Sequence, residues 1–164
     1  MQAYSSGPRC SRSQGKRRRI RLNCGDRSSH ISKELCSMKD RATAVCWKGN
    51  QILLVAKVRS KWSLPGGKPE RGEQMVDAAI REVQEETRLV IKRPRLACLF
   101  VDPRAAHHVF EVDVHLNAVA KPSNEIKHCL WVMPDQISTL RTSSGTREII
   151  ELVARMRRSS PPAS

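Results

Sequence analysis

The feature that most constrains the fold of this chain is residues 74–87, where apolar and acidic residues each recur with helical spacing. The apolar positions are three, one and three residues apart, which places them on one face of an α-helix: Val76, Ala79, Ile80 and Val83. The acidic positions are related by i, i+3 and i+4 and form a second face: Glu82, Glu85 and Glu86. The segment therefore predicts an amphipathic helix with a tri-carboxylate face.

A carboxylate cluster of this kind carries a cost in a helix. Each like-charged neighbour costs a few tenths of a kcal/mol, and only Arg81 and Arg88 lie near enough along the chain to offset it. A divalent cation would offset it, because clustered carboxylate oxygens suit hard ions such as Mg²⁺ or Mn²⁺. The alternative interpretation is a solvated acidic face.

The residues before the helix favour a bound divalent cation over a solvated acidic face. Residues 64–73 read LPGGKPERGE and contain a Gly-Gly turn, Gly66-Gly67, where the backbone can approach a ligand closely. Glu73 stands where the helix would begin, and a carboxylate is stabilised there by the helix dipole. A glycine turn, a loop acid and a tri-carboxylate face together outline a site for metal and phosphate.

These residues resemble the signature of the Nudix hydrolase family, G-x5-E-x7-R-E-U-x-E-E-x-G-U, in which U is aliphatic. Gly67 is followed after five residues by Glu73, and after seven more by Arg81-Glu82-Val83-Gln84-Glu85-Glu86-Thr87-Arg88-Leu89. Every fixed position matches except the second glycine, which is Arg88. Arg88 either keeps the left-handed conformation of a glycine after a helix, at about 1–2 kcal/mol, or the helix ends differently.

The resemblance extends over about residues 40–157. Along this region, strand-like segments at 42–47, 51–59, 89–91, 96–101, 108–119 and 129–133 are mixed with two helices, which predicts an α/β or α+β fold. The resemblance implies the Nudix-type α/β/α sandwich with a mixed β-sheet. The catalytic helix would be residues 74–87 and the C-terminal helix residues 146–157.

The resemblance also implies roles for individual residues. Those expected to hold the divalent ion are Gly66, through its carbonyl, Glu73, Glu82, Glu85 and Glu86. Arg81 would orient the glutamates through charge-assisted hydrogen bonds. Glu125, in a later loop, is a candidate for a further ligand or the general base, the alternative being an exposed loop glutamate.

The implied reaction is metal-dependent hydrolysis of a phosphoanhydride in a nucleoside diphosphate linked to another moiety: a nucleoside triphosphate, an oxidised nucleotide or a related diphosphate. Nearby cations could pair with the phosphates or could be solvated: Lys57, Arg59, Lys61 and Lys68. Lys57 and Arg59 are two apart on a predicted strand and would share a face. The rival hypothesis is a non-catalytic Nudix-like module that senses a nucleotide or associates with nucleic acid.

Residues 1–37 are rich in Ser and Arg and contain the run KRRRIR at 16–21. They predict a disordered basic extension, which is interpreted as a nucleic-acid or nuclear-import tail, an organelle transit peptide, or sequence upstream of a native start at Met38. The Nudix domain would then occupy residues 38–158, and residues 159–164 would be a loose tail.

The remaining sequence features bear on the compartment and the partners. The six cysteines include no C-x-x-C pair, which favours free thiols and a cytoplasmic location, with organelle targeting as the alternative. No membrane association is expected. The expected partner is a diphosphate small molecule, nucleic acid could bind only through the basic extension, and monomer and homodimer both stay open. His107 and His108 are interpreted as surface or edge histidines rather than ligand contacts.

Overall fold

The computed structural model describes residues 38–159, so the predicted extension 1–37 and residues 160–164 of the predicted tail lie outside it. Its strands are β1 (Lys39–Lys48), β2 (Gln51–Ala56), β3 (Gly66–Gly67), β4 (Arg95–Asp102), β5 (Ala105–Asp113) and β6 (His128–Val132). Its helices are α1 (Met75–Thr87) and α2 (Ser144–Ser159), with a 3₁₀ turn at Pro134–Thr139. No helix within residues 38–159 is long and apolar enough to cross a membrane.

The strands form one mixed sheet in the order β4-β5-β1-β2-β6, and the short β3 pairs with β1. The pairing of β1 with β5 is parallel, and the pairings of β1 with β2 and β3, of β2 with β6, and of β4 with β5 are antiparallel. Strand β1 therefore lies in the middle of the sheet and contacts three other strands.

The two faces of the sheet carry separate apolar cores because alternate residues of each strand point to opposite sides. On one face, the β1 and β2 residues pack with Val83 of α1: Ala44, Cys46 and Leu53. On the other face, Val45 and Leu54 pack with residues of α2: Ile149, Ile150 and Val153. One helix on each face of a mixed sheet is the α/β/α sandwich, so the predicted fold class is confirmed.

Several predicted elements differ from those observed. The strand predicted at 108–119 ends at Asp113, and the strand predicted at 89–91 is not a strand, although Leu89 and Ile91 are buried. Helix α2 runs from Ser144 to Ser159, so it is longer at both ends than the predicted 146–157 and includes the first residue of the predicted tail.

Helix α1 ends in the way that the family's glycine would allow. Arg88 adopts φ 61° and ψ 8°, a left-handed conformation, and its N–H donates a hydrogen bond to the Gln84 carbonyl. The helix therefore has the same kind of ending without the glycine, and an L-residue carries the strain.

Candidate metal and phosphate site

The Gly66-Gly67 turn is packed too tightly for any side chain. Gly66 pairs with Thr43 of β1 and has φ 146°, and a Cβ on it would overlap the carbonyl oxygen of Ala42. A Cβ on Gly67 would overlap the carboxylate of Glu82. The two glycines therefore let the turn lie directly between strand β1 and the acidic face of α1.

Glu86 is the buried carboxylate of the site. It is only 6% exposed, and its Oε2 accepts a 3.1 Å hydrogen bond from the Gly66 N–H. Burial raises the pKa of Glu86 to about 7, the negative charge of Glu82 also raises it, and the Gly66 N–H lowers it in part. Glu86 is thus a carboxylate that a cation would stabilise in its ionised form.

The other three carboxylates are gathered by Arg81. Its guanidinium donates to both oxygens of Glu73 at 2.9 Å, to Glu82 at 3.0 Å and to Glu85 at 3.3 Å. A further bond of 3.1 Å reaches the Lys68 carbonyl. The hydrogen bond from Arg81 holds the pKa of Glu73 at about 2, well below its usual range. Arg81 is therefore hydrogen-bonded to all three of these glutamates.

Arg41 is a residue of the site that sequence reasoning missed. It lies on β1, and its Nη2 donates a hydrogen bond to the Gly66 carbonyl, the group expected to bind a metal through its backbone. Its charge also lowers the pKa of Glu86. No local spacing relates Arg41 to Gly66, since 25 residues separate them and only the pairing of β1 with β3 brings them together.

The residues present fit a hard divalent ion by their chemistry. Glu82 and Glu86 lie against the turn beside the Gly66 carbonyl, Glu73 and Glu85 are linked to Glu82 through Arg81, and oxygen donors are what Mg²⁺ and Mn²⁺ take. The repulsion between Glu82 and Glu86, which contributes to the raised pKa of Glu86, is what a cation relieves. Within residues 38–159, no three Asp, Glu, His or Cys side chains are already arranged around one point, and Glu73, Glu82 and Glu85 are turned towards Arg81.

Two cavities lie beside the turn, of about 760 and 510 Å³. They share four charged lining residues: Arg41, Lys57, Lys68 and Glu125. Lys57 forms an ion pair with Glu125. The structure thus brings together three site candidates from different parts of the sequence, Lys57, Lys68 and Glu125. It places Glu125, the candidate general base, at the cavities next to Lys57.

Arg59 does not join them. Strand β2 ends at Ala56, and residues 57–60 form a turn in which the Ser60 N–H donates to the Lys57 carbonyl. Arg59 has φ 55° in this turn and lines neither cavity. The prediction that Lys57 and Arg59 share one strand face is wrong, because the turn interrupts the alternation between them.

The inner part of the larger cavity contains a polar group that the sequence did not single out. Asp102 at the end of β4 and His107 in β5 both line it, with side chains 12% and 16% exposed. His107 Nδ1 lies 2.9 Å from Thr43 Oγ1, and β5 lies between two other strands, so the interpretation of His107 as a surface or edge histidine is wrong. His108 is more exposed and pairs with Asp40 at 3.1 Å.

Comparison with known proteins gives a consistent result. The family model described as NUDIX domain matches residues 38–153. A solved structure described as a Nudix hydrolase family member from Chromobacterium violaceum is 32% identical. The alignment covers 76% of this chain and 82% of that one, with a TM-score of 0.67.

Two curated proteins match shorter segments. An uncharacterised Nudix hydrolase, YvcI of Bacillus subtilis, is 44% identical over 52 residues, or 31% of this chain and 33% of its own length. Human diphosphoinositol polyphosphate phosphohydrolase 2 is 35% identical over 77 residues, or 44% of this chain and 43% of its own length. The chain thus spans less than half the length of these two relatives.

Proposed function

This chain belongs to the Nudix hydrolase family, and from that premise we propose that it hydrolyses a phosphoanhydride bond in a nucleoside diphosphate linked to another moiety, with Mg²⁺ or Mn²⁺. Substrates of this class include nucleoside triphosphates and oxidised nucleotides. The proposal makes the protein a pyrophosphohydrolase.

The observation that carries the proposal is the packing of the Gly66-Gly67 turn against the carboxylates of α1. Glu86 is buried there with one oxygen on the Gly66 N–H, and Glu82 lies where a side chain at position 67 would be. A buried carboxylate beside a second carboxylate is costly unless a cation is bound. That cost supports a metal site rather than a solvated acidic face.

In this proposal the ion is held by Glu82, Glu85, Glu86 and the Gly66 carbonyl, with Glu73 in support. When bound, the ion would supply positive charge to balance the diphosphate and would acidify the attacking water. Arg81 keeps the glutamates oriented, and Arg41 and Lys68 bind phosphate oxygens at the cavities. Glu125 accepts a proton from the attacking water, while the oxygen of that water bonds to phosphorus and the bridging P–O bond breaks.

The proposal is tested by measuring product release from a panel of nucleoside diphosphate derivatives with and without Mg²⁺ or Mn²⁺. We expect metal-dependent turnover in the wild type and its loss in Glu86→Gln, with Glu148→Gln, an exposed glutamate of α2, as the matched control. Metal-dependent turnover that persists in Glu86→Gln would contradict the assignment of the site. Metal and nucleotide binding without turnover would support the rival sensing module.

A second substrate deserves the same panel. One relative matched above is named for diphosphoinositol polyphosphates, and the mouth of the larger cavity carries several cations that could bind such an anionic ring: Lys39, Lys57, Lys61, Lys68 and Arg104. The panel therefore includes a diphosphoinositol polyphosphate beside the nucleotides. The choice between a nucleotide and a diphosphoinositol polyphosphate depends on the residues that line the deeper part of the larger cavity.

A further inference from the structure

The larger cavity has two chemically different parts. Its outer part carries the exposed cations named above. Its inner part is made of buried or half-buried residues, among which Arg41 is the only lysine or arginine; the others include Thr43, Leu64, Asp102, His107, Gly145 and Ile149. Phosphates are expected at the outer part, where cations balance their charge. The inner part would receive whatever is attached to them.

Asp102 contributes a carboxylate oxygen with spare capacity to accept a hydrogen bond. Its Oδ1 accepts from the N–H groups of Arg104 and Ala105, at 2.7 and 2.9 Å, in the turn between β4 and β5. The closest nitrogens of basic side chains to Oδ2 are Arg104 Nη2 at 3.6 Å and His107 Nε2 at 3.7 Å, both too far away for a good hydrogen bond. Asp102 is half-buried, and an Oδ2 without a close donor among residues 38–159 is available to accept a hydrogen bond from a ligand.

His107 stands beside it with one ring nitrogen engaged. Its Nδ1 is bonded to Thr43 Oγ1, which leaves Nε2 on the side of Asp102. Burial lowers the pKa of His107, so the imidazole is neutral at physiological pH and adds no positive charge to the inner cavity. Phe100 lies edge-on to the ring, with centroids 6.3 Å apart.

The start of helix α2 lies close to the Asp102 carboxylate. Gly145 faces Asp102 so closely that a Cβ on it would lie 3.0 Å from Oδ2. The helix end itself is capped, since the Thr146 N–H donates to Ser143 Oγ at 3.1 Å. A side chain at position 145 would therefore crowd the one acceptor that is left open.

Resting on the proposed function, we propose that Asp102, with His107 beside it, determines substrate specificity by accepting a hydrogen bond from the exocyclic amino group of a nucleobase. The base is uncharged, flat and carries N–H donors, which matches a partly apolar cavity in which a carboxylate oxygen is available to accept a hydrogen bond. A polyphosphorylated ring does not match it as well, because its phosphates would lie against the negative charge of the Asp102 carboxylate.

The test compares the binding of nucleotides that differ by one amino group of the base. The two comparisons are guanosine diphosphate with inosine diphosphate, and adenosine diphosphate with purine riboside diphosphate. Affinities are measured calorimetrically with Ca²⁺, for the wild type and Asp102→Asn. The asparagine keeps an oxygen for the two backbone donors and replaces Oδ2 with a group that cannot accept. In the wild type we expect loss of the amino group to weaken binding about tenfold or more, and in Asp102→Asn less than about twofold.

Two further variants distinguish a loss of base preference from a loss of folding. Asp135→Asn, at an exposed carboxylate of the 3₁₀ turn, should retain the wild-type preference. Gly145→Ala favours the helix by its propensity, so it should fold, yet it should lose the preference as Asp102→Asn does. Binding of inositol hexakisphosphate is measured with all four proteins.

The inference is overturned if the wild type shows no preference for the amino-bearing base, or if Asp102→Asn and Gly145→Ala leave it unchanged. It is also overturned if inositol hexakisphosphate binds tighter than every nucleotide and tighter still to Asp102→Asn. These outcomes are separate from those of the hydrolysis panel. Turnover without base preference leaves the proposed function in place, whereas base preference without turnover leaves only the binding site.

Discussion

The N–H of Arg88 donates a 2.9 Å hydrogen bond to the carbonyl of Gln84 while Arg88 itself holds a left-handed backbone. The bond closes the last turn of α1, and the strain falls on a residue with a Cβ. Because the Arg88 side chain is exposed, nothing in the core depends on it.

We therefore expect Arg88→Gly to raise the free energy of unfolding by about 1 kcal/mol, since glycine takes this conformation without the Cβ penalty. Urea unfolding checks it. Arg93→Gly, also at positive φ, should have the same sign, and Lys92→Gly, next to it, should not stabilise. Destabilisation by Arg88→Gly would show that the arginine makes a contact that outweighs the strain.

The two glycines of the turn should differ sharply when each is replaced by alanine. Gly66→Ala would force a methyl onto the backbone of β1 at a positive φ, so we expect a loss of stability of several kcal/mol. Gly67→Ala would meet only the flexible end of Glu82, so we expect a folded protein whose Mg²⁺ affinity or turnover falls at least tenfold. Thermal melts and metal titrations separate the two. Equal loss of stability in both would contradict this account.

Glu86 should make the metal-free protein less stable as the pH rises. The pKa of Glu86 is about 7 in the folded protein, and an unperturbed glutamate, as in the unfolded chain, has a pKa of 4.5. Between these pH values the folded form therefore binds more protons than the unfolded form. Stability must then fall with rising pH across about 4.5–7, by up to about 3 kcal/mol.

The measurement is urea unfolding in a chelator across this window, for the wild type, Glu86→Gln and the Glu148→Gln control. The fall should be absent or much smaller in Glu86→Gln and unchanged in the control. Mg²⁺ added at pH 8 should restore stability to the wild type, because the cation favours the ionised carboxylate. An equal pH slope in the wild type and Glu86→Gln would mean that another group titrates.

Glu125 and Lys57 form an exposed ion pair, so removing either should change stability by no more than about 1 kcal/mol. If Glu125 is the general base, Glu125→Gln should lower kcat by about a hundredfold or more while KM changes little. Lys57→Met should act mainly on KM through the phosphates. Steady-state kinetics of both variants decide it, and a kcat unchanged in Glu125→Gln would assign the base elsewhere.

The sequence was most informative where the site is contiguous. The carboxylates of α1 and the glycine turn lie within about 20 residues, so helical spacing and the family signature locate Glu82, Glu85, Glu86 and Gly67 without knowledge of the sheet. Arg41 and His107 behave differently. They are partners in the parallel pairing of β1 with β5, and a pairing between segments 66 residues apart leaves no local pattern.

The errors at strand ends have a related cause. The alternation of apolar residues continues from 108 to 119, but β1 supplies its last partner at Trp47, opposite Asp113. The Val114 N–H still bonds to the Trp47 carbonyl, and beyond that point the chain leaves the sheet. A strand needs a neighbour as well as a pattern, and only the pattern is visible in a sequence.

Thr43 lies at the crossing of the two halves of the site. Its backbone pairs with Gly66 of the glycine turn, and its hydroxyl bonds to His107 of the inner cavity. Under the two proposals, the reacting phosphate and the recognised base both bind next to contacts of Thr43, one residue of a central strand. Strand β1 then fixes the distance between the two sites. A substrate with one phosphate more or fewer between its base and the bond to be cleaved cannot place the base in the inner cavity and the reacting phosphate at the glycine turn at once.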